Sequence, residues 1–321
     1  MKRFQNRIAE SYLTLPIAAV YSVAIWLIAF LHNTSKAAQS PTLAIHWPEM
    51  ACFVISVYVI VELNNSNMLL RVRSRMVAST FIFLSCMLVS GFQSLLVGIS
   101  QICFITTILL LFHTYQNRSS AGQTYYAFLC LGLSSLIYAE YLYYIPLLWV
   151  LMTTRLQSLS PRTLAASVFG ILTPYWLASI WLFHLDDFTP MTEHLADFGN
   201  FVFPADYQAV SIEQWLIYAF LTVTSIAGII HFWMYSYEDK IRIRQLYGFL
   251  IAMSLATLIY IALQPHQYHI FIRMAIVCCS PIIAHFLTLT STRLTNILFF
   301  VIIGACICIT AINLWMYFLN F

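Results

Sequence analysis

Residues Tyr125–Pro174 read YYAFLCLGLSSLIYAEYLYYIPLLWVLMTTRLQSLSPRTLAASVFGILTP, and this stretch admits few arrangements. Between Tyr125 and Thr154 it carries one charge, Glu140. A single helix over those residues would run roughly 45 Å at about 1.5 Å per residue, whereas the hydrocarbon core of a bilayer is only about 30 Å thick. Arg118 lies upstream, and Arg155 and Arg162 lie downstream. Basic flanks on both sides belong on the same, cytoplasmic, face. The stretch therefore reads as a hairpin of two short helices, with Glu140 and Tyr138, Tyr141, Tyr143 and Tyr144 near its tip. A carboxylate carried to the far interface needs polar company, and that company marks a place to look for function.

The rest of the composition agrees with a membrane body. Hydrophobic residues make up 61% of the 321-residue chain, charged residues 8%, and the mean hydropathy is +0.82. Soluble domains carry about 25% charged residues. The class is all-α, a polytopic transmembrane bundle forming one membrane domain over residues 1–321. No cleavable signal peptide is expected, because the first apolar run, Leu13–Leu31, is too long for a signal h-region and lacks a small-x-small cleavage site. The eight cysteines all lie in apolar runs and read as small core residues. A net charge of +3 gives no sign of nucleic acid as a partner; the bilayer itself is the partner, and the basic residues set topology.

Taken in order, the chain divides into about 11 spans. The first two cover about 13–32 and 48–66, and the Asn/Arg-rich joint to Arg75 follows. Residues 76–113 carry no formal charge and divide into two spans with a tight turn near 92–95. The hairpin supplies the fifth and sixth spans, and a seventh, about 163–183, contains Pro174. Residues 184–211 form the one long extracytoplasmic loop, with Asp186, Asp187, Glu193, Asp197 and Asp206 but no Lys or Arg. Within it, Thr189-Pro190 opens a short interfacial helix, with Met191, Leu195 and Phe198 on one side. The remaining spans cover about 212–236, 246–263, 269–289 and 294–319. All but Lys36 and Arg273 of the 15 Lys and Arg then fall on the inner side. That is the expected positive-inside bias, with the N-terminus cytoplasmic and the C-terminus extracytoplasmic.

Ionised side chains within a bilayer cost a few kcal/mol each and usually face a cavity or a partner. Arg273, about one turn into its span, reads either as a clamp for phosphate or carboxylate or as an ion-pair partner of Glu140 or of an acid of the outer loop. Glu140 reads as a general base at the outer mouth or as that pair. Glu49, beside His46 at the start of the second span, reads as a base or as first-turn dipole chemistry. Tyr141 and Tyr144 at the hairpin tip, His46 beside Glu49, and His266 and His269 beside Arg273 are candidate substrate-binding groups. Asp186 and Asp187 with His184 and His194 offer a weak divalent-metal set, and otherwise no cofactor is expected. No HExxH, GxSxG, Walker loop or CxxCH occurs.

Four segments carry a resemblance. LNNSN (63–67) with LLRVRSR (69–75), GLSSLIYAEYLYYIPLLW (132–149), RTLAASVFGILTPYW (162–176) and SPIIAHFL (280–287) together resemble a family of polytopic bacterial inner-membrane proteins of uncharacterised function. More distantly, the layout is similar to membrane glycosyltransferases of the C superfamily, which use polyprenyl-phosphate sugars. That similarity implies an outward-facing site, a lipid-phosphate donor and a catalytic acid in the first outer loop, where Glu49 is the one acid on offer. The Lys or Arg often found at the hairpin tip of those proteins is Glu140 here. The expected function is thus handling of a lipid-linked substrate at the outer leaflet of the bacterial inner membrane. A non-catalytic subunit or scaffold binding a membrane-protein partner through the acidic loop is the alternative, and a small-solute transporter is a third reading.

Overall fold

The computed structural model describes residues 4–36, 43–88, 94–186, 188–199, 207–289 and 293–319. Among them there is no strand. The helices are α1 (Phe4–Glu10), α2 (Thr14–Lys36), α3 (Leu43–Asn67), α4 (Met76–Cys86), α5 (Leu95–His113), α6 (Ala121–Ile137), α7 (Tyr144–Thr154), α8 (Pro161–His184), α9 (Thr189–Asp197), α10 (Ile212–Tyr235), α11 (Ile241–Leu263), α12 (Tyr268–Leu289) and α13 (Arg293–Leu319). Eight of them, α2, α3, α5, α8 and α10–α13, are long and apolar enough to cross a membrane. This is a multi-pass membrane protein. The helices α4 and α7 have 11 residues each and α6 has 17. The turn expected near 92–95 lies largely outside the described residues.

The chain gathers into two compact units, Leu96–Asp206 and the combination of Met1–Leu95 with Tyr207–Phe321.

In the first of these units, the hairpin is present as expected. Gln116 N donates to Leu156 O at 2.8 Å and Ser160 Oγ donates to Arg118 O at 2.9 Å, so the two basic flanks meet at its base. Its arms match in length. At 1.5 Å per residue α6 spans about 25 Å, and the 3₁₀ turn Ala139–Tyr143 joined to α7 spans about 27 Å. Helix α8 lies along α6, where Gly132 and Gly170 remove the side chains that would hold the backbones apart. A Cβ on Gly170 would stand 2.5 Å from Tyr125 O. Hydroxyl groups then bridge the helices, Tyr125–Thr173 at 3.0 Å and Tyr175–Ser135 at 2.9 Å. Small residues with hydroxyl bonds are how helices associate in lipid.

Ser160 starts α8 with a capping box to Thr163, followed by Pro161 at a position that needs no N–H. Ser160→Ala removes both the cap and the tie to Arg118. It is expected to lower stability by about 1–2 kcal/mol, read as an earlier thermal unfolding of the detergent-solubilised protein.

The larger unit is built around α12, which is buried over nearly its whole length, as a helix apolar on all sides must be. Helices α11, α4 and α10 pack on it. Gly228 lets α10 approach closely, because a Cβ there would meet Ile282 Cγ2 at 2.9 Å. Pro281 lacks the N–H that would bond Val277 O, and the Ser280 hydroxyl bonds that carbonyl instead at 3.2 Å.

Candidate functional site

Three of the connections in the larger unit meet at one end of its bundle. The joint 68–75 leaves α3, the 3₁₀ turn Ser236–Glu238 leaves α10, and α12 brings His285 to the same place. Arg73, Arg75, Lys240, Arg242 and Arg244 are exposed there, so this is the arginine-rich end.

Beneath those side chains lies a buried charge network. Asp239, with no exposed side-chain surface, accepts from Arg71 Nε at Oδ1 and pairs with His285 Nε2 at Oδ2, 3.2 Å away. The Arg71 guanidinium also bonds Glu238 through Nη1 and caps the end of α10 by donating from Nη2 to Tyr235 O at 2.9 Å. A cation at a helix C-terminus complements the helix dipole. Arg242 Nη2 donates to Asn67 Oδ1 at 3.0 Å, and Asn67 Nδ2 donates in turn to Leu63 O at 3.0 Å. Four separate pieces of chain are thereby tied together.

His285 is wholly buried, in a box of rings. Centroids of Tyr247, Phe232 and His231 lie 4.9, 5.3 and 5.8 Å from its own. Tyr247, also wholly buried, donates to Pro281 O at 3.4 Å. Burial by itself pushes the Asp239 carboxyl up. The hydrogen bonds from His285 and Arg71 outweigh that and hold it below the usual carboxylate range. Asp239 is therefore ionised at neutral pH, and Arg71 holds its proton more tightly still through the bond to Asp239.

The residues singled out from the sequence lie elsewhere. Glu49 is buried, and it is not a first-turn residue: α3 begins at Leu43, ahead of it. It stands roughly 27 Å along α3 from Asn67, away from the arginine-rich end. The side chain of His46 lies outside the described residues. Arg273 is half-buried on α12, roughly 18 Å along the helix from His285. His269, one turn before it, is exposed and lies 3.5 Å from Gln214 Nε2, and His266 is exposed. Arg273 and Glu49 thus both sit away from the arginine-rich end of their unit.

The other candidates belong to the hairpin unit. Glu140 is half-buried in the 3₁₀ turn at the tip. Tyr141 and Tyr144, expected to contact substrate, are core residues, buried with ring centroids 6.0 and 5.4 Å from that of Phe104. Tyr141 in the 3₁₀ turn and Tyr144 at the start of α7 both face α5. The helix α9 starts at Thr189 as its sequence indicates, and it is docked on the tip. The rings of Phe198 and Tyr143 stack at 4.6 Å, and His194 Nε2 lies 2.7 Å from Ser135 O. Asp186 is exposed, with a left-handed φ of 51° just after α8, and Asp187 lies outside the described residues. Among the described residues, no three of His, Cys, Asp and Glu come together as a metal-ligand set.

Sequence reasoning passed over Asp239 and His231 and treated Arg71 as a topology marker. One signal was available: Asp239 and Glu238 are acids set against Lys240, Arg242 and Arg244, where simple topology calls for basic residues alone. The chain matches no family model, no curated protein and no solved structure.

Proposed function

We propose that this protein handles an anionic, lipid-linked substrate, of the polyprenyl-phosphate class, at the end of its membrane body opposite the arginine-rich one. The observation that carries this reading is Arg273. It is a half-buried guanidinium on a largely apolar helix, one turn from His269, whose ring nitrogen lies 3.5 Å from Gln214 Nε2. A charge so placed costs a few kcal/mol, and a phosphate head held at membrane depth is a ligand that returns that cost through charge-assisted bonds. Glu49, away from the arginine-rich end on α3 of the same unit, is the base proposed to act on an acceptor hydroxyl.

In this reading α4, α6 and α7 also enter the bilayer, giving about 11 crossings. The arginine-rich end faces the cytoplasm of a bacterium, and the site faces the outer leaflet of its inner membrane, as the similarity to C-superfamily glycosyltransferases implies. The test is binding of undecaprenyl phosphate to the protein in nanodiscs. Arg273→Ala is expected to weaken binding tenfold or more, in line with loss of a charge-assisted contact worth about 1.5–3 kcal/mol. Equal binding by wild type and variant overturns the reading.

A specific observation favours a second reading, a scaffold. Helix α9 is packed on the hairpin tip while Leu195 and Glu193 stay exposed, so this helix presents a surface to a partner. A membrane partner that co-purifies with the wild type but is lost on deletion of 184–211 supports that reading. Retention of the partner after the deletion removes it.

A further inference from the structure

The network around Asp239 leaves two ring nitrogens unused. An ionised carboxylate only accepts, so His285 Nε2, at 3.2 Å from Asp239 Oδ2, carries the hydrogen. His285 Nδ1 is then a lone-pair acceptor, and it is buried with no hydrogen-bond partner. His231 Nδ1, one helix away on α10, is likewise buried with no hydrogen-bond partner, in a residue that is only 8% exposed. The two rings lie 5.8 Å apart at their centroids. Burying an unpaired polar group costs about 1–3 kcal/mol, and phenylalanine would fill the same space without that cost. Packing alone does not explain two such imidazoles side by side.

We propose that His231 and His285 form a proton-binding pair at the arginine-rich end, holding a single proton between their Nδ1 atoms, directly or through one water. The charge at the pair favours this. Asp239, with no exposed side-chain surface, places one negative charge 3.2 Å from His285 Nε2, whereas Arg71 and the exposed Glu238 offset each other. A second proton is disfavoured, because two imidazolium rings so close in a buried site repel each other.

The surrounding elements do not alter that balance. From α11, Tyr247 meets His285 as a ring, Arg242 is taken up by Asn67, and Arg244 is exposed. From the joint after α3, Arg73 and Arg75 are exposed, as are Arg7 and Glu10 on α1 and Lys240 after the 3₁₀ turn. Solvent screens such charges. Helix α4 contributes no charged residue, and His269 and Arg273 sit at the far end of α12. The route inward is by way of Tyr235, an exposed residue whose ring lies 4.8 Å from that of His231.

The experiment is nitrogen-15 NMR of histidine-labelled protein in nanodiscs, titrated from pH 8 to pH 5, with signals assigned through His231→Phe and His285→Gln. The expected result is uptake of one proton by the pair, both residues shifting with a common midpoint. In His231→Phe, the midpoint of His285 is expected to fall, because the neighbouring acceptor is gone. Separate titration of each ring to full imidazolium overturns the proposal, and so does a pair that never takes up a proton. Should His285→Gln fail to fold, His231→Phe decides alone, since an unchanged His285 midpoint also overturns it. Lipid-phosphate binding at Arg273 is not involved in any of these outcomes.

Discussion

Replacing Asp239 with alanine is expected to destabilise the protein by about 1–3 kcal/mol, the cost of leaving the buried His285 without its hydrogen-bond partner. Arg71 then keeps only Glu238 and the Tyr235 carbonyl, and the buried His285 loses its bond to Asp239. Thermal or denaturant unfolding in detergent reads the loss, together with release of the α10–α11 connection to proteolysis. An Asp239→Ala protein as stable as the wild type would mean that the network contributes nothing.

The pH dependence follows from the sign of the shift. Asp239 is held below its ordinary range in the folded protein. Its stabilisation is therefore complete above the unfolded carboxyl value, about 3.9, and is lost only as pH falls through the lower folded value. Between pH 5 and pH 8 the Asp239 clamp stays closed, so any titration seen in that window belongs to the histidines.

Enlarging Gly170 is the second substitution with a large expected effect. A Cβ at this position meets the Tyr125 carbonyl at 2.5 Å and Leu129 N at 3.0 Å, both backbone atoms that no rotamer change can move. Gly170→Ala must push α8 off α6, which breaks the Tyr125–Thr173 and Tyr175–Ser135 bonds. Overpacking of this kind costs about 1–3 kcal/mol, and Gly170→Leu should prevent assembly of the hairpin unit. Gly122 is the internal control. It is on α6, with nothing within 4 Å of its Cβ position, so Gly122→Ala should be neutral or stabilising by up to about 1 kcal/mol. Equal effects at the two glycines would contradict the close α6–α8 contact.

Much of the fold was legible because hydrophobic run length and proline, serine and arginine punctuation act locally. Span ends near Pro161, Ser211 and Leu263, the hairpin about Glu140 and the start of α9 at Thr189-Pro190 all follow from neighbours within a few residues. What escaped depends on contacts distant in sequence. Arg71 and Asp239 are 168 residues apart, and Asp239 and His285 are 46 apart. No spacing rule links them. Arg71 was read as a topology marker because every arginine near a span end satisfies that role equally well. Glu49 was placed in a first turn because Pro48 looked like a helix start, whereas the helix begins at Leu43 and takes the proline within it. The packing of Tyr141 and Tyr144 on Phe104 depends on a helix well upstream in the sequence, which no local pattern announces.

The proposals for Arg273 and for the histidine pair share one requirement, that α11 crosses the bilayer once between the arginine-rich end and the turn at His266. Single cysteines introduced at the exposed Tyr237 and His266, in a background with the native cysteines replaced, test this in sealed vesicles with a membrane-impermeant maleimide. The predicted result is labelling of Tyr237→Cys from one side only and of His266→Cys from the other side only. Labelling of both from the same side would contradict it.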